Sequence, residues 1–144
     1  NQMWGTVARS VTTVIKGTLD QAKSAVTAAL KEQGFGVLTE IDVRATLREK
    51  LNVEFGPYLI LGACNPQIAH RALSEDPSIG LLLPCNVVLR AVPDGIEVSI
   101  VDPEVMLSVA GGETTPAMIV LQRDAKNRLE AALAIIARPA ASHA

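Results

Sequence analysis

The chain has 144 residues, a length that suits one domain with a core large enough to fold without staples. Its 13 basic and 15 acidic residues leave a net charge of −2 and form no basic stripe, which argues against nucleic acid as a partner. No stretch reaches the ~18 consecutive apolar residues that a membrane-spanning helix needs, so no membrane partner is expected.

Apolar residues are 49% of the chain but aromatics only 3%, so the core must be built from Val, Leu, Ile and Ala. Charged residues, at 19%, fall below the usual share of roughly a quarter, and the extra apolar surface points toward self-association. Two cysteines in a chain of this length are not a disulfide framework. They fit free thiols in a reducing compartment, and the cytoplasm is the expected location. The chain begins at Asn1, which fits a cloning scar ahead of Met3 or a removed leader, and the leader would make the periplasm the alternative.

In chain order, Val7 to Ile15 is rich in Val and Thr and alternates as a first strand, placed at a sheet edge. Gly17 breaks it, and Thr18 with Gln21 matches a capping box for a first helix. Leu19, Ala22, Val26, Ala29 and Leu30 form its apolar stripe, and Gly34 ends it as a left-handed cap. Phe35, Val37, Thr39, Ile41 and Val43 are expected on one face of a second strand. Residues 44–51 follow as a short charged helix resting on Leu47 and Leu51, and Gly56-Pro57 turns the chain.

Tyr58 to Cys64 is apolar on both faces and reads as a central strand, in which Gly62 leaves room for close packing or a ligand. Asn65 then sits where a helix N-cap belongs and Pro66 at the first helical position. The third helix has Ile68, Ala69, Ala72 and Leu73 as its buried face and stops at Asp76-Pro77. Cys85 to Val92 and Ile96 to Ile100 are strands joined by a Pro93-Asp94-Gly95 hairpin turn, closed by Asp102-Pro103. Residues 103–109 read as a turn of helix, and Gly111-Gly112 as a mobile hinge or a loop over a site. Thr115-Pro116 starts a last helix, with Met118, Leu121, Ala125, Leu129, Ala132 and Ile136 on its apolar stripe. Pro139 ends it and the tail is expected to be disordered.

The chemistry concentrates at two corners, Cys64-Asn65-Pro66 and Pro84-Cys85-Asn86. Cys64 ends a strand just ahead of a helix N-terminus, where the dipole and free N–H groups favour a thiolate. The competing reading is a small hydrophobe at a tight corner, since free Cys is commonly buried. Adjacent sulfurs would allow a disulfide or two soft-metal ligands, but only His70 and Asp102 are available to complete a metal set, and no metal is expected. Asn65 reads as a cap ahead of a catalytic amide. Asn86 sits in a strand, where Asn is disfavoured, and so points to a loop backbone or a ligand. His70 falls on the flank of the third helix, where a partly exposed histidine without chemistry is the default. Glu40, Asp42 and the charges of residues 44–51 read as solvated faces, and His143 lies in the tail.

The segments GFGVLTEIDV, YLILGACNP, GLLLPCNVVL and IVDP together make the chain resemble the domain-of-unknown-function family 302 (DUF302). The resemblance runs from about Thr6 to Ile136, and its most specific parts are the CNP and PCN elements, about twenty residues apart. It implies an α+β fold with an antiparallel-rich sheet of about five strands, one domain over residues 6–138 with tails at 1–5 and 139–144, and a homodimer. It implies no assigned activity, so no reaction and no cofactor follow from it. Only the Gly111-Gly112 stretch departs from the pattern.

The resulting expectation is a non-enzymatic dimeric domain that binds a small molecule, with Cys64, Asn65, Cys85, Asn86 and His70 as candidate ligand contacts. The alternative is a thiol-based redox or persulfide-handling protein in which Cys64 reacts and Cys85 resolves. A purely structural dimer subunit is the third reading.

Overall fold

A computed structural model of the chain describes residues 10–105 and 115–137. Its elements are β1 (Ser10–Ile15), α1 (Leu19–Glu32), β2 (Gly36–Asp42), α2 (Val43–Leu51), β3 (Tyr58–Cys64), α3 (Pro66–Glu75), β4 (Cys85–Val92), β5 (Gly95–Val101) and α4 (Pro116–Ala137), with a 3-10 helix at Pro77–Leu82. The fold is α+β, and its element order is the one read from the sequence. Of the earlier expectations, those on residues 7–9, 106–109, Gly111-Gly112, Pro139 and His143 lie outside the described residues.

Local chemistry sets the element ends. Thr18 caps α1 through the full capping box, with its hydroxyl accepting from the Gln21 N–H at 3.1 Å while its own N–H donates to the Gln21 side chain at 2.9 Å. Gly34 adopts a φ of +84°, the left-handed conformation that a side chain resists. Asp42 caps α2, which ends at Asn52 in the left-handed region.

The five strands are ordered β1-β5-β4-β3-β2, and every neighbouring pair is antiparallel. The pleat sends Leu59, Leu61 and Ala63 of β3, Val87 and Leu89 of β4, and Ile96, Val98 and Ile100 of β5 to one face. There they bury against α1 and α4, through Val26, Leu30, Leu129 and Leu133 among others. A smaller second core gathers Ala72, Ile79, Met118 and Leu121 between α3, the 3-10 helix and the start of α4. The opposite sheet face keeps partly exposed apolar residues, with Val14 47% and Ile41 48% exposed.

Several expectations change. The apolar face assigned to β2 is split, because the register shifts between Val37 and Thr39. Val37 pairs with Ala63 on the helix side, whereas Thr39 and Ile41 pair with Gly62 and Ile60 on the other side. One extra residue in a strand reverses every later side chain, which no alternation in sequence reveals. The strand also ends at Asp42, and Val43 already belongs to α2. Secondly, Leu51 does not anchor α2, since it is 65% exposed. Leu73, expected on the buried face of α3, is also exposed.

The room left by Gly62 is used for packing. A Cβ there would run into the Thr39 hydroxyl and approach the Pro84 ring to 2.7 Å. Gly62→Ala is therefore expected to destabilise by about 1–3 kcal/mol, the usual cost of overpacking. A urea-unfolding midpoint unchanged from the parent would contradict this packing.

Candidate functional site

The strand β3 ends at Cys64 and α3 begins at Pro66, so Asn65 occupies the corner between them. Its Oδ1 accepts from the Ile68 N–H at 3.1 Å as an N-cap, and its Nδ2 donates to the Gln33 carbonyl at 3.5 Å. Arg128 of α4 donates to the same carbonyl through Nη1 at 3.2 Å, and its Nε is held by Asp124 Oδ1 at 2.8 Å. Asn65 is only 8% exposed, and both ends of its amide are engaged with backbone. These bonds make it a structural cap that ties the end of α1 to the start of α3.

The second corner lies across the β3–β4 ladder. Cys85 pairs with Ala63 and so shares its helix-side parity, and the preceding Leu83–Pro84 peptide is cis. Cys64, the next residue after Ala63, has the alternate parity of Gly62 and Ile60. Both cysteines are free and half-buried. Both border one pocket of about 60 Å³, together with Phe35, Ala63, Ala72 and Ala125. Met118 and Leu121 close it from α4, and its walls are almost wholly apolar. It occupies the seam between the two cores, to which Ala63 and Phe35 contribute from one side and Ala72 and Met118 from the other.

Of the candidate residues, the pocket unites Cys64, Asn65 and Cys85. Asn86 is opposite Gly62 on the sheet face turned from α1 and α4 and is exposed, and His70 is exposed on α3 and lines a different groove. Asp102 is engaged elsewhere, 3.2 Å from Lys126 Nζ. Among the described residues, no cluster of three or more His, Cys, Asp or Glu side chains could hold a metal. The sequence reading missed the walls supplied by α4. Gln122 offered a signal there: it is a polar residue one turn after Met118, beside the apolar stripe, and it lines the pocket.

The model of the family described as "Domain of unknown function DUF302" matches residues 11–136. The chain belongs to the DUF302 family. A crystal structure of an uncharacterized conserved DUF302 protein from Bacillus stearothermophilus superposes on it with a TM-score of 0.80. That protein is 28% identical, and the alignment covers 90% of this chain and 98% of the other. No curated protein matches the chain. Among the described residues of this DUF302 chain, no helix is long and apolar enough to cross a membrane.

Burial pushes the Cys85 thiol above its ordinary pKa of 9.0, and the neighbouring Cys64 adds to the rise. The thiol thus stays neutral to higher pH than a free cysteine would. A group whose pKa is raised by folding contributes stability that is complete below its ordinary value and is lost as pH rises through the folded value. The parent protein should therefore lose thermal stability above pH 9.0 more steeply than Cys85→Ala does. Parallel melting curves for the two proteins from neutral to alkaline pH would remove this assignment.

Proposed function

We propose that this protein is a non-enzymatic binding domain that holds a small, mostly apolar ligand in the pocket bordered by Cys64, Asn65 and Cys85, and that it works as a homodimer. The observation carrying the ligand reading is that both cysteine corners border a single apolar cavity at the seam of two cores. At about 60 Å³ the cavity exceeds the ~10–15 Å³ that admits one water, but is far below the ~300 Å³ at which drug-sized sites begin. The guest is therefore a molecule of few heavy atoms. Its affinity would come from burial of apolar surface and contact with soft sulfur, because the Asn65 amide is already committed to backbone.

The alternative redox or persulfide-handling role draws on the two free thiols at one cavity. The raised Cys85 thiol supplies less nucleophilic thiolate at neutral pH, and the strand parity of Cys64 differs from that of Cys85. Both features weigh toward binding.

Xenon is a suitable probe for a cavity of this kind. Titrated into the protein and followed by amide-resolved NMR, it should give saturable shifts around Ala63, Ala69 and Ala125. Ala125→Leu, which adds side-chain volume to the wall, should abolish them. A parent protein without a saturable response, or an Ala125→Leu variant with the parental one, removes the ligand reading.

The dimer is supported by the apolar side chains of Val14 and Ile41 on the sheet face that no helix of the buried layer covers. Light scattering at micromolar concentration should give twice the chain mass, and Ile41→Lys should shift it toward the monomer. A monomeric parent removes the dimer from the proposal without touching the cavity.

A further inference from the structure

A second cavity of about 390 Å³ opens between α3 and the first turns of α4. Its size falls within the range of roughly 300–1,000 Å³ typical of small-molecule sites. Leu121 separates it from the cysteine pocket and lines both. Ala117, Val120 and Leu121 give it an apolar wall from α4, and Val120 is 65% exposed. His70, Arg71 and Glu75 line it from α3.

The charges of this groove are arranged unusually. Arg71 and Glu75 stand at the i, i+4 spacing at which a helix ordinarily forms an ion pair. Glu75 is instead turned toward α4, where its Oε1 accepts from the Thr115 hydroxyl at 3.2 Å. That hydroxyl also caps α4 by accepting the Met118 N–H at 3.1 Å. The Ser74 hydroxyl is spent within α3, donating to the His70 carbonyl at 2.8 Å. Among the described residues, no ion pair involves Arg71. A permanently charged guanidinium with a planar fork of donors is thus left beside an apolar wall.

We propose that this groove binds a small organic anion, a carboxylate carrying a short aliphatic chain, with Arg71 as its charge partner and Val120 and Leu121 as its apolar contacts. The guanidinium matches the two oxygens of a carboxylate, and the exposed aliphatic wall of α4 matches the chain. His70, which lines the same groove, adds a ring N–H. The site stands apart from the cysteine pocket, so either can be present without the other.

Isovalerate is a probe of this chemistry, and isoamyl alcohol is its uncharged counterpart. Each is titrated into the intact protein and followed by amide-resolved NMR. Isovalerate should give saturable shifts at Arg71, Glu75, Ala117 and Val120, and the alcohol should bind more weakly. Arg71 is exposed, so Arg71→Gln should keep the parental unfolding midpoint while weakening isovalerate about fivefold, the scale of one exposed charge pair. The proposal is overturned if isovalerate gives no saturable shift, if the alcohol binds equally well, or if Arg71→Gln binds like the parent. Shifts centred on Ala63 and Cys85 would overturn it too, while leaving the cysteine pocket as a site.

Discussion

The side-chain amide of Asn65 is hydrogen-bonded at both ends, and three helices depend on where it sits. It starts α3, reaches back to the Gln33 carbonyl at the end of α1, and meets there the guanidinium that α4 contributes through Arg128. Gly34 makes this approach possible, since a Cβ at that position would stand 2.9 Å from Asn65 Nδ2. A buried amide left without partners costs about 1–3 kcal/mol, so the corner is held by necessity as well as by preference. The corner joins the end of β3 to the start of α3. α3 carries Ala72 into the satellite core around Ile79 and Met118, apart from the main core under the sheet.

The pocket follows from that separation. Ala63, Ala69, Ala72 and Ala125 face a space that larger side chains would have filled. Interiors are otherwise packed to the density of organic crystals, and a lined void forfeits dispersion contacts. Four small residues from three different elements therefore keep the seam open at a cost to stability. Cys64 and Cys85 border this space as half-buried, polarizable groups, and the neutral state of the Cys85 thiol suits an apolar wall better than an ionised one.

Much of the fold was legible in the sequence because it rests on local rules. The capping box at Thr18, the Asn65-Pro66 cap and the hairpin turn at Pro93-Asp94-Gly95 are written within a few residues, and each forms as read. Long-range events were not legible. The shift at Leu38 depends on pairing with a strand twenty residues away, so Ile41 and Val37 read as one face and are not. The two cysteine corners were visible as motifs, but their common cavity needed α4, whose alanine and methionine positions look like ordinary helical stripe. Asn86 and Asn65 show the same limit from the other direction. Both follow or precede a corner in similar sequence, yet one is buried and fully bonded while the other is exposed on the far face.

The irregularity in β2 bears on how copies of the chain can meet. An outer strand normally offers a continuous row of unpaired amides and carbonyls along which a second sheet can zip. Here the row is interrupted near Leu38, and Glu40 lies along it, bridged to Lys23 of α1 at 2.7 Å. Lateral growth of the sheet is discouraged on that rim, in the manner by which natural β proteins avoid fibrous assembly.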